Sequence, residues 1–391
     1  MIIKGTADCI PEEAGYDSGR IAVLNGHFLR MIEKKEIEGA AYCISRRGKI
    51  IACNSMGTAH YFDGPGDMRP DTVHGIASIS KTFTAAAVMK LAEDGLLRLD
   101  MRVGDILPQF AAAPFDQITL FHLLTHTSGL QPDGGCFPEE DSPSPWAYIE
   151  EAAKNWKAGE KFDWLTPALS CGMRREPGKE WQYCSFGFAV LGAVIGKVSG
   201  MKAEDYIDEN ILKPLGLQDT FFLPAKADKI KRINLLAEEE KEEIERMADS
   251  SSQIPTVWEQ IPQTGGGLFS TPCDLIRFAN MMLGMGTWNG VRILGRKTVE
   301  KMTASSLFQV PDYCWGANEP DRKYAIGFDR REGPGFHYSK GTYMHEGSGS
   351  CSLVIDPQEQ LAAAWFVPFR PGEWYAEGLW NVSNIIWSGL I

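Results

Sequence analysis

No stretch of this sequence approaches the roughly 20 consecutive apolar residues that cross a bilayer as a helix. No block of lysine and arginine offsets the formal net charge of −12. A membrane span and a nucleic-acid or anionic-lipid surface are therefore both unexpected. The opening residues, Met1 to Asp8, lack the long apolar core of a secretory signal. Nine cysteines, at 9, 43, 53, 136, 171, 184, 273, 314 and 351, include no C-x-x-C pair and are odd in number. Reduced thiols in a cytoplasmic protein are the expectation. Gly-x-Ser-x-Gly is absent, which counts against the nucleophile elbow of an α/β-hydrolase. Gly265-Gly266-Gly267 is not followed by Gly-Lys-Ser/Thr, so it is no Walker phosphate loop. His122 and His126 have the i, i+4 spacing of paired zinc ligands. Between them stands Leu-Leu-Thr without the glutamate of His-Glu-x-x-His, and no third ligand follows, so packing and hydrogen bonding are expected of them. No metal and no cofactor are expected.

What is present is an ordinary globular composition, 44% hydrophobic and 23% charged over 391 residues. That length suits two to three domains, or one catalytic unit with two lobes. Ile21, Leu24, Phe28, Met31 and Ile32 recur at helical spacing within residues 17–35. Residues 39–45 and 49–53, joined by Arg46-Arg47-Gly48, read as a β-hairpin. From Leu96 to about Thr264 the signals are helical, with long proline-bearing loops between them. The charge-dense stretch 226–246 reads as solvated. Residues 324–331, 342–347, 352–356 and 361–367 read as strands, and 373–388 as a closing helix. The fold class is thus α+β. One antiparallel sheet is built from both chain ends and flanked by helices, and a mainly helical lobe is inserted. The expected lobes are 1–75 with 265–391, and 76–264, with the active site between them.

The chemistry centres on Ile76-Ala77-Ser78-Ile79-Ser80-Lys81. An apolar helix starting near Ile79 and ending before Gly95 places Ser78 at its entry, where free N–H groups and the helix dipole favour negative charge. Ser78 and Lys81, three apart, share one face. A hydroxyl beside an amine makes a nucleophile without histidine. Ser80 projects elsewhere. Ser-x-x-Lys alone is a weak signal, since it recurs at Ser199-Gly200-Met201-Lys202. There the glycine is expected to end a helix and separate the pair.

Two later stretches complete the set: Tyr183-Cys184-Ser185, in a loop before a helix, and His345-Glu346-Gly347-Ser348, in a late strand. With these the chain resembles the serine β-lactamase-like family, which includes class C β-lactamases, serine D-Ala-D-Ala carboxypeptidases of the penicillin-binding type and related esterases. Ser78-Ile79-Ser80-Lys81 matches Ser-x-x-Lys. Tyr183-Cys184-Ser185 matches Tyr-x-Asn with serine for asparagine, and His345-Glu346-Gly347 stands in the Lys-Thr-Gly place. Leu123-Leu124-Thr125-His126-Thr127-Ser128-Gly129-Leu130 and Gly265 to Thr271 resemble the family too.

The resemblance implies a β-lactamase/transpeptidase-like fold and an acyl-enzyme on Ser78, with Lys81 or Tyr183 moving the proton. It also implies an oxyanion hole from the backbone N–H groups of Ser78 and Ser348. Ser185, His345, Glu346 and Gly347 fall at its substrate-binding positions. Lys-Thr-Gly would supply a cation for a substrate carboxylate. Here Glu346 is expected to set a negative charge near that spot, and Ser185 is shorter than asparagine. Small esters or amides without a free carboxylate are therefore the expected substrates, in the manner of an esterase, amidase or aminopeptidase. A β-lactamase or D-Ala-D-Ala carboxypeptidase is the alternative. A catalytically inactive binding protein on the same scaffold is the alternative of another class, although Ser78, Lys81 and Tyr183 are all present. Oligomeric state is not encoded in any of these signals.

Overall fold

Strands from both chain ends meet in one antiparallel sheet. The computed structural model describes all residues except 138–143, 158, 226, 237–239, 243, 246–256, 332, 349–350 and 369–375. The strands are β1 (Ile2–Lys4), β2 (Gly39–Arg46), β3 (Lys49–Tyr61), β4 (Gly64–Asp67), β5 (Tyr343–Gly347), β6 (Cys351–Asp356) and β7 (Leu361–Phe366). Their order is β1-β3-β2-β7-β6-β5, with β4 pairing the far end of β3. The N-terminal and C-terminal hairpins are joined where β2 pairs β7, Ala41 opposite Phe366 and Arg46 opposite Leu361.

Both faces of the sheet are covered. Along β7, Ala362, Ala364 and Phe366 join one core, while Leu361, Ala363 and Trp365 join the other. A strand buried on both sides needs no polar alternation, which is why this segment reads as a continuous apolar run. One face is covered by α1 (Ser18–Glu33), through Leu24, Phe28 and Met31. The other faces the helical part of the chain. This contains α2 (Ser80–Glu93), α3 (Leu120–Leu124), α4 (Pro145–Ala153) and α5 (Ser185–Ser199). The later α6 (Pro272–Leu283) packs on that face too, whereas the closing α7 (Val382–Trp387) joins α1.

Helix α2 has no solvent stripe, since every residue from Ser80 to Met89 is buried. Phe83 stacks on Phe278 of α6 at 4.1 Å. Among the described residues no single helix is long and apolar enough to cross a membrane.

Three details differ from the sequence reading. Residues 324–331 form no strand. Ala325 N–H donates to the Phe328 carbonyl at 2.9 Å, and Gly327 turns with φ 72°. A Cβ at Gly327 would meet Ala85 Cβ at 2.4 Å, so this turn is pressed against α2. The edge strand β1 went unread because three residues carry no period. The charged stretch 226–246 forms a short helix at Ala227–Ile230 but is not wholly solvated, because Ile230, Ile233, Leu235 and Ile244 are buried in one cluster; residues 226, 237–239, 243 and 246 lie outside the described residues. Residues 373–375 of the closing helix also lie outside them.

Candidate active site

Ser78 stands on a 3-10 turn, Ala77–Ile79, that feeds directly into α2. Ala77 adopts φ 43°, a left-handed conformation that L-residues take only when their surroundings enforce it. Here Ile76 N–H donates to the Leu268 carbonyl at 2.9 Å, and Leu268 N–H donates to the Ser80 hydroxyl at 3.1 Å. Ser80 is fully buried and pins the 265–271 loop, whereas Ser78 is partly accessible.

Lys81 is fully buried, and its ammonium has three acceptors. Nζ donates to Ser78 Oγ at 3.0 Å, to Ser185 Oγ at 3.0 Å and to the Gly265 carbonyl at 2.6 Å. Burial pushes its pKa down to about 8, while the Asp133 carboxylate pulls in the opposite direction. The other Ser-x-x-Lys is split as expected: α5 ends at Ser199, and Gly200 turns left-handed with φ 74°.

Asp133 is the residue that sequence reading missed. Its Oδ1 accepts from Ser185 N–H at 2.7 Å, its Oδ2 accepts from the Ser185 hydroxyl at 2.5 Å, and its own N–H donates to the Tyr183 carbonyl at 2.8 Å. Because the Ser185 proton points to Asp133, the Ser185 oxygen is free to accept from Lys81. The short serine therefore does reach the lysine, and Asp133 lies behind it. In the sequence, Pro132-Asp133-Gly134 reads only as a turn.

The sign of the Asp133 effect makes it testable. Its charge favours the ammonium, so Asp133→Asn should move the midpoint of the pH–rate profile below the Lys81 value of about 8. A midpoint that stayed in place or rose would remove Asp133 from this role.

Tyr183 is partly buried. Its hydroxyl approaches the Ser78 side chain, and its ring lies 5.0 Å from Lys81 Nζ. Burial pushes the phenol well above its ordinary range. The tyrosine is held from behind by His126, stacked at 4.4 Å. His126 Nδ1 accepts from Cys184 N–H at 3.0 Å, and its carbonyl accepts from Gln182 N–H at 2.7 Å. One histidine thus clips the chain on both sides of Tyr183. Burial holds His126 well below the usual imidazole range. His122 instead caps α3, where its Nδ1 accepts from Thr119 N–H at 3.2 Å. The i, i+4 pair is occupied by a cap and a clip.

Strand β5 brings in the last group. His345 faces the site, its ring 6.5 Å from that of Tyr183. Burial, with the nearby Lys81 charge, pushes it down to about 4, so it is neutral at physiological pH. Its Nδ1 lies 2.8 Å from the Glu346 carbonyl, a contact that needs Nδ1–H. Nε2 is therefore an acceptor, buried and without a partner among the described residues.

Glu346 corrects an expectation. Adjacent strand residues point to opposite faces, and Glu346 faces away from the cleft. Its carboxylate receives two bonds from Arg331, at 3.0 and 2.8 Å, and one from Trp380 Nε1 at 3.1 Å. Glu346→Gln should leave substrate-charge preference unchanged and lower stability by roughly 1 kcal/mol. Comparing kcat/KM for neutral and anionic esters in both proteins, together with their melting curves, checks this.

Gly347 is needed for packing. A Cβ there would lie 2.4 Å from the Ile76 carbonyl and 2.5 Å from Cys351 Sγ. Its absence lets β5 close on the turn that carries Ser78. Ser348 follows at once, exposed, beside that turn.

The Beta-lactamase family pattern matches residues 24–380, which include all the residues of this site. Penicillin-binding protein 4 of Amycolatopsis lactamdurans is 28% identical over 336 residues, 82% of this chain and 80% of that protein. Esterase EstB of Burkholderia gladioli is 31% identical over 227 residues, 56% of each chain. The solved structure of EstCE1, a hydrolase with promiscuous acyltransferase activity, aligns with a TM-score of 0.72 at 20% identity. The alignment covers 95% of this chain and 99% of that one. That likeness shows the fold, which is β-lactamase/transpeptidase-like. The chain belongs to the Beta-lactamase family.

Proposed function

We propose that the protein is a serine hydrolase that forms an acyl-enzyme on Ser78 and acts on small neutral esters or amides. The residues that touch the reacting atoms come from two lobes, 76–264 and the combined 1–75 with 265–391, and the substrate lies between them.

In its neutral form Lys81 takes the Ser78 proton across the 3.0 Å contact as the hydroxyl attacks the carbonyl. Tyr183 remains a phenol in this range and, beside Ser78, relays to the leaving group the proton that Lys81 took, which restores neutral Lys81. Backbone N–H groups of Ser78 and Ser348 stabilise the oxyanion. A water then attacks the acyl carbonyl and releases the acid, and the proton returns to Ser78.

The observation that carries the substrate reading is the neutral, buried His345 in the place where β-lactam-active relatives present a cation. The His345 ring itself offers a substrate carboxylate no counter-charge. A unit pair at about 4 Å is worth roughly 4 kcal/mol at an effective dielectric near 20, and a third of that is tenfold in rate. The free Nε2 acceptor suits a donor such as an amide N–H or an amine. The Glu346 carboxylate has no part in this selectivity.

The test is kcat/KM for p-nitrophenyl butyrate and an aminoacyl p-nitroanilide against a penicillin and a D-Ala-D-Ala peptide. The neutral ester or the amine-bearing amide should lead by about tenfold or more. Faster turnover of the penicillin would overturn the reading.

A further inference from the structure

Away from Ser78, the sheet and α6 bring three thiols together. Cys43 on β2 stands directly opposite Cys53 on β3. Cys273 is the second residue of α6 and caps the pair from the helix side. The three Sγ atoms lie within 4.8 Å of one another. Cys273 Sγ is 2.7 Å from Cys53 Sγ and 3.7 Å from Cys43 Sγ.

Cys43 and Cys53 are buried and Cys273 is partly exposed, so the cluster opens to solvent on one side. Among the described residues these sulfurs hydrogen-bond only to one another. Cys273 lies in the first turn of α6, where free backbone N–H groups favour a thiolate. The proposed acyl chemistry uses none of the three.

We propose that Cys43, Cys53 and Cys273 form a binding site for a soft d10 cation, Cu(I), held by three sulfurs. Thiolates select soft ions such as Cu(I) and Zn(II). Structural zinc takes four ligands, whereas the described residues supply three here. Three sulfurs satisfy Cu(I). On binding, three Cu–S bonds form, the ion leaves its previous chelator, and the protons still held by the thiols pass to solvent. Metal–sulfur bonds of about 2.3 Å require the 2.7 Å pair to spread. Cys273, on the open side at the helix end, is the residue placed to move.

The experiment uses the full-length, fully reduced protein without oxygen, titrated against the Cu(I)–bicinchoninate complex. One equivalent of Cu(I) should be withdrawn per chain. Cys273→Ala, at a partly exposed helix end, and Cys53→Ser should each abolish that uptake, with folding checked by circular dichroism. Cys136→Ser, in the other close thiol pair, with Cys314, should leave it intact. Uptake by Cys273→Ala equal to that of the wild type would overturn the site. Zinc binding tighter than copper in a parallel competition would overturn the choice of ion. A Cys53–Cys273 linked peptide recovered from protein purified without reductant would replace the metal site with a disulfide.

Discussion

Ser78→Ala is expected to abolish turnover, with kcat reduced by about 10⁶-fold, and to abolish labelling by a fluorophosphonate. Removal of a serine nucleophile leaves only the background from binding and the oxyanion hole. Ser78 is partly accessible, hydrogen-bonded to Lys81 and close to Tyr183, and stands at a helix entry. Ser80, two residues on, is fully buried and holds Leu268 N–H. Ser80→Ala should therefore keep the label on the Ser78 peptide while costing about 1 kcal/mol of stability. A labelled peptide that survives Ser78→Ala would sink the assignment.

Lys81→Arg should be nearly as damaging, by about 10²- to 10⁴-fold, and it separates charge from basicity. Arginine still donates hydrogen bonds but does not lose its proton in this range. If Lys81 only anchored its three acceptors, the arginine variant would keep much of its activity. As a base, it must be neutral.

Burial sets its pKa near 8, so below that value the lysine is charged and the rate falls, and above it the rate rises to a plateau. The wild-type profile should show a single rise with its midpoint near pH 8. Tyr183→Phe should lower the plateau without moving that midpoint, because the phenol titrates well above this range. A rate flat from pH 6 to 9, with chemistry limiting, would exclude Lys81 as the base.

The parts of this site that the sequence made legible are those with a local signature. Ser78 and Lys81 share a helix entry, Tyr183 precedes a helix, and the paired apolar runs give the sheet. Asp133 was not legible, because its contact to Ser185 spans 52 residues and its neighbours spell only a turn. The Glu346 expectation failed for a reason already present in the letters. Residues 345 and 346 on one strand cannot both face the cleft. His345 took that place, and Arg331 took the glutamate on the other face. The 324–331 segment has strand composition, yet Gly327 reverses it against Ala85, a contact no local pattern encodes.

The carbonyl that completes the Lys81 cage belongs to Gly265, 184 residues further along the chain, and the strand end at Gly347 arrives later still. During synthesis the nucleophile and its lysine emerge early, with neither burial nor cage. An exposed lysine keeps its ordinary pKa near 10.4 and is almost wholly protonated at neutral pH. A nascent or truncated chain therefore displays Ser78 without an active base. Under the proposed function, reactivity waits until the strands between residues 343 and 366 dock, and the chain is in effect its own zymogen up to that point.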